Sequence, residues 1–175
     1  MPSRRAMLVG LTGLALGGCG TPDAVPLDLE LPGLPGLTTN GGWNVPGFGA
    51  GEFARSISVL NVWASWCPVC RGEHGHLRRL AGDGRFRLLG LVYNDAPEKA
   101  AAYLRRAGNP YAAVAADDGR LSGAVRQRGV PGSYVIGRNG RVLARAAGGV
   151  DGASFAALLL PAILRARAGD EVTVG

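Results

Sequence analysis

A chain of 175 residues that is 47% hydrophobic is long enough to bury one good-sized core, and no internal repeat divides it. Its formal charge of +6 comes almost wholly from arginine, Lys99 being the single lysine, and the arginines are scattered over several predicted helices; nucleic acid, which needs a patch interleaved with aromatics, is therefore not expected as a partner. Of the three cysteines, two stand three residues apart, where a bridge closes almost no loop, so they do not serve as structural staples.

In chain order, Arg4-Arg5 and the apolar run Ala6 to Gly18 read as the charged and hydrophobic regions of a secretory leader, too short for a comfortable membrane span. Leu16-Gly17-Gly18-Cys19 resembles a bacterial lipobox, with Cys19 as the lipidated first residue after cleavage, which also accounts for the odd cysteine; an uncleaved or ordinary leader with an incidental thiol is the alternative. The expected organisation is a leader over 1–18, a tether and N-terminal extension over 19–50, a compact domain over 51–168 and a tail over 169–175. Within the extension, Asp28-Leu29-Glu30-Leu31-Pro32 reads as a short lead-in strand.

Ile57 to Ala64 is β-rich and apolar on both faces, as in a strand buried at the centre of an α/β sheet. A helix opens after it, with Pro68 in its first turn and Cys70, Leu77 and Ala81 predicted on one buried stripe. Phe86 to Tyr93 is a second buried strand, and Asp95-Ala96-Pro97-Glu98 spells a capping-box start to a helix carrying Ala100, Tyr103, Leu104 and Ala107, ended by Gly108 and Pro110. A short strand near Ala112 to Ala115 and a helix from Arg120 to Arg128 precede Gly129-Val130-Pro131, where a proline directly before a strand suggests a cis bond. Asn139-Gly140 predicts a tight hairpin into Arg141 to Ala147. The last helix, opened by Asp151, carries Phe155, Leu158, Leu159 and Ala162 on one face, with Pro161 set to kink it.

The chemistry concentrates in Trp66-Cys67-Pro68-Val69-Cys70. A thiol at a helix N-terminus meets unpaired backbone N–H groups and the positive end of the macrodipole, which favours its thiolate; Cys67 is that thiol, and Cys70 lies one turn in, placed to resolve a mixed disulfide. Glu73, three residues on, is a candidate for proton transfer, with a solvated helix residue as the alternative. Trp66 beside the nucleophile is expected to line the docking surface, and Trp63 to be core. Cys67, Cys70, His74 and His76 together offer the ligand types of a metal site. Helical geometry argues against it, since His74 and His76 project about 160° apart.

The order βαβα, hairpin, α, with W-C-x-x-C after the first core strand and Val130-Pro131 before the hairpin, resembles the thioredoxin superfamily. The run Leu60 to Cys70 continuing into Arg71-Gly72-Glu73-His74, with Tyr93-Asn94-Asp95, Gly108-Asn109-Pro110-Tyr111 and Gly129-Val130-Pro131, resembles most its DsbE/CcmG-type periplasmic thiol:disulfide interchange proteins. Asn61 fits them too, where thioredoxin proper carries a buried acid. The resemblance implies a thioredoxin-like fold, a central mixed β-sheet flanked by helices, in which Val130-Pro131 faces Cys67 and pairs through its backbone with an extended substrate. Trp66, Pro68, Val130 and Pro131 would then be substrate-binding. No cofactor is expected beyond the redox-active Cys67–Cys70 disulfide itself.

The implied activity is thiol-disulfide reduction in cytochrome c maturation. The substrate would be an apocytochrome c C-x-x-C-H segment or an assembly thiol protein, electrons would come from a membrane thiol carrier of the DsbD/CcdA kind, and the protein would sit on the periplasmic side of the inner membrane, anchored through its N-terminus. The uncharged Pro-Val pair between the cysteines favours a reductant over a strong oxidant. A TlpA/ResA-like general or copper-protein-directed reductase is the nearest alternative, and a metal-delivery protein using Cys67 and Cys70 the alternative of another class. In one respect the chain departs from this family, which usually has an acidic residue after the proline that contributes to an acidic groove: here Gly132 stands in its place.

Overall fold

The computed structural model describes residues 23–169; the leader, Cys19 and the tail beyond Gly169 lie outside the described residues. A five-stranded sheet in the order β5-β4-β3-β6-β7 is built from β3 (Ser58–Trp63), β4 (Arg87–Val92), β5 (Ala113–Ala116), β6 (Gly132–Ile136) and β7 (Val142–Ala147). β3, β4 and β5 run parallel, while β6 pairs antiparallel with β3 and β7 antiparallel with β6, so the sheet is mixed as expected. β3 lies at its centre and is buried along its whole length, which is why its sequence shows no polar alternation.

Side chains alternate across the sheet into two cores. Val59, Trp63, Leu88, Val92 and Val135 pack with α2 (Pro68–Leu80), α3 (Pro97–Ala107) and α6 (Leu160–Ala168) on one face. Leu60, Val62, Leu89, Leu91 and Ile136 pack on the other face with α1 (Ala50–Arg55), α4 (Arg120–Ala124) and the N-terminal extension. Leu60, Leu77, Leu89 and Leu104 are fully buried, each contributing about 1.5–3 kcal/mol relative to exposure.

The extension is part of this packing from residue 24 onward. Its lead-in strand β1 (Glu30–Leu31) pairs with β2 (Phe48–Gly49), and Leu29, Leu37 and Phe48 are buried. Gly33 bridges Ala115 and Pro46 accepts from the Val114 N–H along the β5 edge, while Ala24 bridges Arg141 at the start of β7. The segment thus covers backbone that would otherwise stand open at the sheet edges.

Four local expectations are corrected. Ala81 is the exposed cap residue of α2, and the buried stripe is completed by Glu73 and His74 instead. The helix after Asp95 begins without a side-chain cap, because the Asp95 carboxylate is used elsewhere. α4 ends at Ala124, four residues short of Arg128. The hairpin turn is wider than a two-residue loop: the Gly140 N–H bonds the Gly137 carbonyl, and Gly140 takes a positive φ of 75°, a turn followed by a left-handed residue. At the C-terminus, Asp151 and Ser154 form a reciprocal capping box, and Phe155–Leu159 widen into a π-helical turn that accommodates Pro161 at the start of α6 and leaves Leu158 half-exposed.

Candidate active site

β3 ends at Trp63 and the chain turns through Ala64 to Trp66 into α2, whose cap residue is Cys67. Cys67 and Cys70 form a disulfide with their Cα atoms 5.3 Å apart, and the Cys67 sulfur also accepts the Cys70 N–H at 3.2 Å. The bridge therefore stands at the amino end of α2, where backbone N–H groups favour negative charge on sulfur. Relative exposures of 3% and 5% do not separate the two residues in the disulfide form. What distinguishes Cys67 is its position as the cap residue of α2, between the exposed Trp66 and Pro68, whereas Cys70 lies inside the first turn of the helix.

The turn before Cys67 is held by polar bonds. Asp95 Oδ2 accepts the Ser65 N–H at 2.6 Å, Arg71 Nε donates to the Ser65 carbonyl at 2.8 Å, and Trp66 Nε1 donates to the Asn94 carbonyl at 2.9 Å. Trp66 keeps 54% of its surface open with its ring direction fixed, and Val69 is equally exposed, so two apolar side chains flank the cysteines. Trp63 is core, stacked on Tyr111 at 5.9 Å. The clamp by Asp95 escaped sequence reasoning because Asp-x-Pro-Glu spells a helix cap equally well.

Behind Cys70 lies a buried polar chain. Asn61 Nδ2 donates to Glu73 Oε1 at 3.0 Å and to Ser133 Oγ at 3.1 Å, and Asn61 Oδ1 accepts the Tyr111 hydroxyl at 2.8 Å. Glu73 Oε2 accepts the Val150 N–H at 2.7 Å. Burial pushes the Glu73 carboxyl above the usual carboxylate range, partly offset by the bonds from Val150 and Asn61. Tyr111 is pushed well above the usual phenol range, by burial first. Gly90 makes this chain possible: it sits opposite Asn61 in register, and a Cβ there would lie 2.8 Å from the Tyr111 ring. Ser133 was not singled out from the sequence, and Tyr111 entered only within the Gly108-Asn109-Pro110-Tyr111 motif of the family resemblance, with no role in the site attached to it.

Glu73 is therefore not the solvated helix residue of the alternative reading; it is 6% exposed. It borders a cleft of about 390 Å³ between α2 and the turn after β7, with His76, Arg79 and Asp151 further out. The histidines do not converge. His74 Nε2 meets the Gly108 carbonyl at 2.9 Å and its ring lies against Tyr103, whereas His76 lies against Phe155. Among the described residues no cluster of three or more His, Cys, Asp or Glu side chains could hold a metal.

The second segment arrives from the neighbouring strand. Val62 is opposite Gly132, so continuing the antiparallel register brings Val130-Pro131 to the end of β3 that leads into Cys67. The Val130-Pro131 bond is cis and the Pro131 carbonyl accepts the Gly148 N–H at 3.1 Å. Val130 is half-buried, and its own N–H and carbonyl bond no other backbone group among the described residues. The position after the proline is shaped by Gln127: a Cβ on Gly132 would lie 2.5 Å from Gln127 Oε1, and the Gln127 carboxamide accepts the Tyr134 hydroxyl and donates to the Gly129 carbonyl.

A disulfide at a helix N-terminus, a buried acid behind it and an unpaired strand edge beside it make a site for exchanging disulfides with an extended partner. Known proteins agree with that reading. The chain matches the Redoxin family over residues 48–159. It is 36% identical over 145 residues to the thiol:disulfide interchange protein CycY of Rhizobium leguminosarum bv. viciae, covering 82% of this chain and 72% of that one. It is 43% identical over 91 residues to the thiol:disulfide interchange protein DsbE of Escherichia coli strain K12, a match spanning 51% of this chain and 49% of the relative. The crystal structure of a DsbE-type thiol:disulfide interchange protein from Chlorobium tepidum superposes with a TM-score of 0.64 at 26% identity, covering 83% of this chain and 96% of that one. The chain accordingly belongs to the Redoxin family, as a thiol:disulfide oxidoreductase of the DsbE/CycY/HelX type built around the Cys67–Cys70 pair.

Proposed function

We propose that this protein is a membrane-tethered reductant acting in cytochrome c maturation on the periplasmic side of the bacterial inner membrane. The substrate is an apocytochrome haem-binding C-x-x-C-H segment or a thiol protein that handles it. The observation that carries the reading is the Cys67–Cys70 couple at the amino end of α2, beside a Val130 backbone that pairs with no strand among the described residues. The likeness to DsbE- and CycY-type interchange proteins supports it.

In the reducing direction, the Cys67 thiolate attacks one sulfur of the partner's disulfide, forming a mixed disulfide and expelling the other sulfur as a thiolate. Cys70 then attacks the Cys67 sulfur, re-forming the Cys67–Cys70 disulfide and releasing the partner as a dithiol, two electrons having passed. Trp66, Pro68, Val130 and Pro131 hold the partner, with main-chain pairing at Val130 tolerating varied sequences. Glu73, its proton affinity raised by burial, takes up the Cys70 proton as that thiol becomes the attacking thiolate. Electrons return from a membrane thiol carrier of the DsbD/CcdA kind. The anchor is the N-terminal segment, through lipid on Cys19 or through the retained apolar run.

The test is trapping. In cells that make c-type cytochromes, Cys70→Ser should accumulate a mixed disulfide through Cys67 with an apocytochrome or assembly thiol protein, and Cys67→Ser should accumulate none. A partner held through Cys70, or a captured set without any cytochrome-assembly protein, would overturn the assignment.

A further inference from the structure

On the side of Pro131 away from Glu73, a cleft of about 430 Å³ opens between the α4–β6 connection and β7, lined among others by Arg126, Arg128, Val130, Pro131 and Arg145. Its charge is one-sided. The carboxylate that reaches this wall is that of Asp23, which pairs with both Arg126 and Arg145, and Arg145 also lies over the Tyr134 ring. Arg128 is exposed and makes no ion pair among the described residues. Three guanidiniums against one carboxylate leave the cleft positive, with the Arg128 charge uncompensated.

The inner wall adds no negative charge. Gly132 has no side chain, and the space a larger residue would enter is taken by Gln127, whose carboxamide is used at both ends by Tyr134 and Gly129. A neutral wall and a positive rim thus adjoin the Val130 backbone, which bonds no other backbone group among the described residues.

We infer that this cleft is a subsite for an acidic side chain of the partner, flanking the disulfide under attack, and that Arg128 is its selecting cation. The inference rests on the docking of an extended partner at Val130. Side chains of such a strand alternate, so a residue near the attacked cysteine projects into the cleft. There a glutamate meets Arg128, while a lysine meets three guanidiniums and is repelled. The substrate class named by this chemistry is an extended segment with a carboxylate within a few residues of its disulfide. Arg126 and Arg145, held by Asp23, supply fixed background charge, and Arg128, being free, follows the ligand.

The experiment uses the pre-reduced full chain in single turnover against three peptides that share one C-x-x-C disulfide and differ only in carrying Glu, Gln or Lys at the flanking positions. We expect the Glu peptide to be reduced about tenfold faster than the Lys peptide at low salt, with Gln between, and the ratio to shrink toward one in about 1 M salt. Arg128→Glu should reverse the order, and Arg128→Gln should flatten it, with thermal unfolding as the control for folding. Equal rates for all three peptides, or an order unchanged in Arg128→Glu, would overturn the subsite while leaving strand docking in place. Failure to reduce any of the three would remove the docking reading and the subsite together.

Discussion

The Gly148-Gly149 turn separates two flanks of the active site with opposite electrostatic designs. Toward α2 the buried charge is the carboxylate of Glu73, held by the neutral donors Asn61 and Val150, with Arg79 and Asp151 further out along the cleft. Toward β6 and β7 the charges are guanidiniums at the surface, two of them tied to Asp23. A buried, unpaired acid cannot recognise a partner from solution, but it responds to protons, since desolvation acts on its charged form alone. The arginines of that flank are not among the groups that shift Glu73, but they are felt by whatever approaches. One flank suits proton handling and the other partner choice.

That division can be broken first at Asn61. Asn61→Leu keeps the branched shape but, besides being bulkier, strands the Tyr111 and Ser133 hydroxyls and leaves Glu73 Oε1 without its donor, so we expect a loss of about 3 kcal/mol in denaturant unfolding. A loss within the range of an ordinary surface change would mean that the buried chain is not structural. Next, Trp66→Ala should weaken capture of a peptide partner about tenfold with little effect on stability, because Trp66 is half-exposed and oriented by one bond to Asn94. Unchanged capture would move the docking surface elsewhere.

The third test concerns pH. Glu73 has a higher proton affinity folded than unfolded, so between the ordinary glutamate value of 4.5 and its raised folded value the native state holds the extra proton. Stability from this group is complete below the unfolded value and is lost as pH rises through the folded value. Glu73→Gln should remove that downward slope, and NMR titration should place the wild-type carboxyl above 4.5. An equal slope in the variant would assign it to other groups. Smallest of all, Arg128→Gln should shift unfolding by no more than about 0.5 kcal/mol, so that any effect on peptide preference belongs to recognition.

Legibility in the sequence followed the same divide between local and convergent features. The W-C-x-x-C run, the buried β3, the Pro68 start of α2 and the proline before β6 each carry a short-range signal, and the structure places them together. The buried chain was half-visible: Asn61 was marked through the family resemblance, standing where thioredoxin proper carries a buried acid, but its partners lie 12, 50 and 72 residues away. Asp95 shows how a local pattern misleads, since a carboxylate before Ala-Pro-Glu can cap a helix or reach back 30 residues to Ser65, and the tertiary bond prevails. Gly132 read only as a departure from the family pattern; that Gln127 fills its place depends on how the α4–β6 connection folds back. The arginines looked scattered along the chain because their clustering is made by the crossing from α4 to β7.

Whether the Cys67–Cys70 couple works as a reductant is decided by its reduction potential. The full chain would be equilibrated with defined thiol–disulfide buffers and followed by tryptophan fluorescence, Trp66 adjoining the pair. A reductant should show a value between those of thioredoxin and the glutaredoxins, about −270 to −200 mV; a value near about −120 mV would mark a disulfide-forming oxidant and overturn the proposed function.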